Sequence, residues 1–194
     1  MRHNSLRDSI ANCMREVCYD VRIEPTLLPV NCNDFSCSAN TAEEARLDIS
    51  ARGVKSAFER TYYDVRVTHP YASSNVTLTL DKLYEKHEAE KERFYGERVR
   101  QVEKGSFDPL VFSTTGGMGP QATNFLKRLA HLIADKRGER YADVMGFLRT
   151  KLRFSLLRSV LIAVRGERGR PSSKEPFMGL VPFNLIPDKD SYDI

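Results

Sequence analysis

The sequence predicts an α+β (α/β) domain, with a mixed central sheet flanked by helices and further helices at its C-terminal end. Three observations predict it. Hydrophobic periodicity reads along the chain as helix, strand, strand, strand, helix, strand and then helices. Three consecutive strands between two helices exclude a doubly wound nucleotide fold, which alternates strictly. The links between the first three strands carry no crossover helix, so an antiparallel meander is expected there. Finally, 194 residues, 41% hydrophobic and 29% charged, suffice for one domain with a real core and are too few for two comfortable ones.

Residues 5–18 read as the first helix. Leu6, Ile10, Cys13, Met14 and Val17 recur at helical spacing, with Asn4 or Ser5 as the cap. Residues 20–24 alternate and stop at Pro25, as a strand does. The polar stretch 28–44 reads as a long loop. Alternation returns over 46–50 and is clearest over 61–68, where His69-Pro70 ends it. A long helix is expected from about Leu80 to Glu103, and a short buried strand over 109–113. Thr114 to Gly119 is a glycine-rich turn, and Pro120 suits the first position of the next helix. Residues 121–137 and 140–165 read as amphipathic helices. The expected organisation is a single domain over 1–166, with a core over 1–120 and a basic helical part over 121–166. An extended, proline-containing tail is expected over 167–194, with Phe177 and Phe183 as docking points.

The net charge of +4 conceals an asymmetry. Residues 121–170 hold 12 Lys+Arg and 4 Asp+Glu, whereas the remainder holds 18 basic and 22 acidic residues. One surface suited to a polyanion beside another suited to a cation is the expectation. The longest apolar stretch, 156–164, contains Arg158 and is far shorter than the ~20 residues a membrane span needs. Residues 1–5 lead into no apolar run, so an intracellular protein without a signal peptide is expected. Cys13, Cys18, Cys32 and Cys37 have a C-x4-C…C-x4-C spacing wider than the usual zinc pairs. Cys13 and Cys18 fall on or beside an amphipathic helix, where a thiol serves as a small hydrophobe.

Strand parity locates the chemistry. In the third strand Tyr63, Val65 and Val67 share one face, and Asp64 and Arg66 the other. In the second, Leu47 and Ile49 face the core and Asp48 faces away; in the first, Glu24 lies opposite Val21 and Ile23. Glu24, Asp48 and Asp64 therefore gather on one side of the sheet. Three clustered carboxylates are costly unless a cation neutralises them, and oxygen donors suit Mg2+ or Mn2+. Lys91 sits within the apolar stripe Leu83, Tyr84, His87, Phe94, Tyr95, where it must snorkel or meet a negative partner.

These residues resemble a known superfamily. The element order is similar to the αβββαβ core of PD-(D/E)XK, or restriction-endonuclease-like, nucleases, with Asp48 as the first acid of the signature and Asp64-Val65-Arg66 as its (D/E)-x-K. More closely, the first 120 or so residues resemble the endonuclease-like domain associated with reverse transcriptases of eukaryotic retroelements. The segments that carry this are Arg2 to Asp8, Glu24-Pro25, Asp64 to Val67 with Pro70, Lys91 with Tyr95, Phe107 to Val111, and Gly116-Gly117. Arg66 stands where the signature has Lys. An Arg cannot be deprotonated, and in this superfamily the neighbouring helix can supply the missing Lys, a role that Lys91 is placed to take. Ser113 stands where relatives often carry an acid.

The resemblance implies a Mg2+- or Mn2+-dependent DNA endonuclease that hydrolyses a phosphodiester with metal-activated water. Glu24, Asp48 and Asp64 would be metal ligands, and Lys91 or Arg66 the charge stabiliser. It implies a nuclear location, DNA or an RNA–DNA hybrid as partner, a homodimer, and derivation from a larger retroelement polyprotein. Lys127, Arg128, Lys136, Arg137, Arg140, Arg149, Lys151 and Arg153 are the expected phosphate contacts, sequence-independent and salt-sensitive. The glycine-rich turn before a helix N-terminus offers a further phosphate cradle or a plain connector. Two other readings stand beside the nuclease: a catalytically inactive binding or interaction domain on the same core, and a zinc-stabilised adaptor built on the four cysteines.

Overall fold

The computed structural model describes residues 2–30, 35 and 39–165. The expected tail over 167–194, with Phe177 and Phe183, lies outside the described residues, as do Cys32 and Cys37. The architecture is α+β: a four-stranded mixed sheet between two layers of helices. Helix α1 (Arg2–Met14) leads to β1 (Tyr19–Ile23), β2 (Ile49–Arg52) and β3 (Arg60–Thr68). Helix α2 (Leu80–Lys91) runs through a π-helical turn (Glu92–Gly96) into α3 (Glu97–Gln101), and β4 (Ser106–Ser113), α4 (Pro120–Arg137) and α5 (Tyr141–Arg165) complete the order. The sheet runs β1-β2-β3-β4; the first two pairings are antiparallel and β3–β4 is parallel. The helical crossover between β3 and β4 is what permits that parallel pairing.

Alternation along β3 sorts the two layers. Tyr63 and Val65 join Leu6 and Ile10 of α1, Phe125 and Leu129 of α4 and Leu148 and Leu152 of α5 in the main core. Tyr62 turns to the other face, where it meets Leu47, Val99 and Phe107. Pro109 sits within β4, an edge strand, where its missing N–H leaves no gap in the sheet interior. Helix α4 starts with Pro120 in its first turn and ends on Gly138 with φ 67°, a left-handed position that an L side chain disfavours.

Three expectations need correction. The expected strand over 46–50 is instead Ile49–Arg52, preceded only by an isolated Thr26–Arg46 bridge. In consequence Leu47 and Ile49 do not share a face: Leu47 packs in the smaller cluster and Ile49 in the main core, because the irregular backbone at Asp48 breaks the period of two. The first helix ends at Met14 rather than 18, and the helix over 80–103 is not uniform. Its π-helical turn inserts an extra residue and rotates the remainder of the helix by roughly 100°. Gly96 at its end and Arg98 and Val99 after it are buried, while Phe94 within it is substantially exposed.

Candidate functional site

The site forms where β2 and β3 part. Ile23, Ile49 and Tyr63 lie in one cross-strand row. One step further along, the Glu24 N–H donates to the Asp48 carbonyl at 2.9 Å and the Asp48 N–H to the Tyr63 carbonyl at 3.1 Å. The ladder then stops, and the Asp48 side chain replaces a backbone acceptor: its Oδ2 takes the Val65 N–H at 2.6 Å. The same oxygen lies 2.8 Å from His3 Nε2, which reaches in from the first turn of α1. That hydrogen bond is the main reason the imidazole is pushed above its ordinary pKa, against the opposing effect of its burial.

Asp64 follows Tyr63 on β3, and its side chain is only 8% exposed. Burial is the first influence on its carboxyl group and pushes the pKa up; the Lys91 ammonium acts the other way, and the neighbouring Asp48 charge raises it again. Lys91 Nζ comes from the last turn of α2 and lies 2.7 Å from Asp64 Oδ2. The contact is a close ion pair between the ammonium and a nearly buried carboxylate. The Tyr95 ring, one turn on, stands 5.6 Å from the same ammonium.

Not every candidate converges here. Glu24 shares the row, but it occupies a left-handed backbone position with φ 52° and its carboxylate pairs with Arg7 of α1. Arg66 shares the face of Asp64 but turns to α2, where its guanidinium lies 3.0 Å from Glu90 Oε2. Arg66, Glu90, Lys91, Arg93 and Phe94 line a cavity of about 310 Å3 beside the Asp64–Lys91 pair. Arg66 is paired with Glu90 and Lys91 with Asp64, so the net positive charge that this cavity offers an anion comes from Arg93. Glu90 carries no mark in the sequence, being one of seven acids on a charged helix; His3 lies in the Arg2 to Asp8 segment, but nothing there names its partner 45 residues away.

The glycine-rich turn is a connector rather than a phosphate cradle. The Glu88 carboxylate already accepts the Gln121 N–H at 3.0 Å at the start of α4, and a side chain at Gly119 would collide with it. Gly117 is required for the same steric reason, because Tyr84 Oη fills the space of a Cβ. The basic helices are also less available than their charge suggests. Arg137 donates to Glu16 at 2.8 Å, Arg140 to Asp143 at 2.8 Å, and Lys136 to the Glu16 carbonyl. Lys127, Arg128, Arg149, Lys151 and Arg153 are exposed, and none forms a salt bridge among the described residues. Cys13 and Cys18 are free thiols, both held above their ordinary pKa chiefly by burial. Among the described residues no group of three or more His, Cys, Asp or Glu is arranged to hold a metal ion.

No protein-family model matches the chain, and no curated protein matches it.

Proposed function

We propose that the chain is a Mg2+- or Mn2+-dependent DNA endonuclease on a restriction-endonuclease-like core, in line with its resemblance to retroelement-associated nuclease domains. The observation that carries this reading is the buried Asp64, set beside Asp48 and ion-paired with a Lys from the facing helix. Two adjacent carboxylates, one of them desolvated, ionise together only with cations nearby. The donor set fits a hard ion held by two carboxylates, since Mg2+ keeps several waters and accepts the rest of its shell from substrate phosphate. Asp48 and Asp64 would hold it, with Glu24 left to Arg7. When bound, the ion supplies Lewis-acid charge at the phosphoryl oxygens and activates water. Lys91 sets a positive charge beside the same position. Arg66, held by Glu90 at the edge of the cationic cavity, stabilises phosphate charge without acting as a base.

A plasmid-nicking assay with metal titration tests the reading. Nicking is expected with Mg2+ or Mn2+ and none with chelator, and Asp64→Asn is expected to abolish it while the circular dichroism spectrum is kept. Equal activity in chelator overturns the proposal. A second reading, an inactive nucleic-acid-binding domain on the same core, draws on a specific observation: Glu24, Asp48 and Asp64 each already face a protein cation or imidazole, namely Arg7, His3 and Lys91. Absence of nicking by folded protein under every metal favours it.

A further inference from the structure

The outer face of α5 carries an unusual alternation. Its inner face buries Val144, Leu148, Leu152 and Leu156 in the main core. Its outer face presents Phe147, Phe154, Leu157 and Leu161, with Phe154 66% exposed. Exposed cations interrupt that stripe at helical spacing: Lys151 falls between Phe147 and Phe154, and Arg158 between Phe154 and Leu161. Lys151 Nζ lies 5.7 Å from the centroid of the Phe147 ring. Arg153 flanks the stripe and, with Thr150, Phe154 and Leu157, lines a cavity of about 260 Å3. Arg153 and Arg158 form no salt bridge among the described residues, Lys151 lies near Cys13 and Glu16 without a salt bridge to either, and the helix's first-turn acid, Asp143, is taken by Arg140.

We infer that this face binds single-stranded nucleic acid, with Phe147 and Phe154 stacking on bases and Lys151, Arg153 and Arg158 meeting phosphates. The inference rests on the proposed action on nucleic acid and adds to it a separate surface that holds an unpaired strand. The alternation decides among anionic partners. A partner helix or a second copy of α5 would trap Lys151 and Arg158 inside an apolar seam, where burying unpaired cations is costly. Two copies would also set cation against cation. An interfacial membrane helix keeps its cations on the polar face, whereas here they lie within the apolar one. A duplex hides the faces of its bases. An unpaired strand offers π-faces and phosphates in turn, and stacking on aromatic side chains is indifferent to base identity. The two Phe residues are seven apart, ~10.5 Å along the axis, so they serve separate bases.

Fluorescence anisotropy of the full chain in chelator, with labelled oligothymidine and a labelled duplex of equal length, tests this without any cleavage. Tighter binding of oligothymidine is expected, weakened about tenfold by Phe154→Ala, as loss of one stacking contact would do. Arg158→Gln is expected to lower the salt dependence of oligothymidine binding. Both side chains are exposed, so the variants are expected to fold. Equal affinity for strand and duplex, or a Phe154→Ala variant that binds oligothymidine unchanged, overturns the inference. So does a dimer in sedimentation that Phe154→Ala disperses, or binding to phosphatidylserine vesicles without binding to oligothymidine. Retained oligothymidine binding without metal-dependent nicking would sink the endonuclease reading and leave this one standing; nicking without strand binding does the reverse.

Discussion

Glu90 separates two cations that sequence position alone leaves equivalent. Arg66 stands two residues after Asp64 on β3, yet it turns to Glu90, and Lys91 from α2 takes the position at the carboxylate. Lys91→Ala is therefore expected to lower nicking turnover by roughly a hundredfold or more, the scale seen on removing a group that meets developing charge. Arg66→Ala is expected to cost about tenfold or less, and single-turnover rates that place the two in the opposite order would return the role to Arg66. His87 lies on the same seam, buried between Thr68 at 3.2 Å and Glu90 at 3.4 Å. Burial, then the Arg66 charge, depresses its pKa below the ordinary 6.5. A depressed histidine leaves stability intact above pH 6.5; below it the unfolded chain binds the proton first, and stability falls as pH drops toward the folded value. His87→Gln is expected to remove that part of the acid slope in denaturant melts at a series of pH values. An unchanged slope would assign it to another group.

The long helix between β3 and β4 works through its π-helical turn. Before the turn, Lys91 faces Asp64; after it, Arg98 is 1% exposed and faces the opposite end of the loop ahead of β2. Its guanidinium donates to the carbonyls of Leu28, Asn40 and Ala42 at 2.7, 2.7 and 2.9 Å. These three bonds tie an irregular segment to a regular one and hold the chain that delivers Asp48. Arg98→Met leaves three acceptors without a donor, at about 1–3 kcal/mol each. A loss of at least about 3 kcal/mol in chemical denaturation is expected. Arg98→Lys recovers only part of it, because an ammonium lacks the planar fork that serves several acceptors at once. Full recovery by Lys would show that charge rather than geometry holds the loop.

At the scale of the molecule, charge is distributed by pairing more than by composition. The basic helices lose Arg137 and Arg140 to Glu16, Glu139 and Asp143, whereas Arg153 and Arg158 of α5 form no salt bridge among the described residues. Oligonucleotide binding is expected to lose about 0.7 of its logarithmic salt slope for each phosphate contact removed on a single strand. Arg153→Glu and Arg158→Glu should each show that loss, and Arg137→Glu almost none. A full loss at Arg137 would place the nucleic acid on α4 instead.

The amino-acid sequence by itself determined the α+β class, the antiparallel meander, the mixed character of the sheet and the division of β3 into a core face and an Asp64 face. These are consequences of local periodicity: side chains alternate every two residues in a strand and recur every 3.6 in a helix, so burial is written into spacing. Strand parity also singled out Glu24, Asp48 and Asp64, although for Asp48 it assumed a regular strand over 46–50 that the backbone there breaks. Tertiary structure decided what each carboxylate does. Arg7 and His3 reach Glu24 and Asp48 from a helix that is distant in sequence, and Glu90 draws Arg66 aside; no local pattern marks such partners. The displacement of β2 to Ile49 and the extra residue in the helix after Lys91 were hidden for a related reason. Each shifts the period without changing composition, and only packing against the neighbouring layer reveals which register minimises exposed apolar surface.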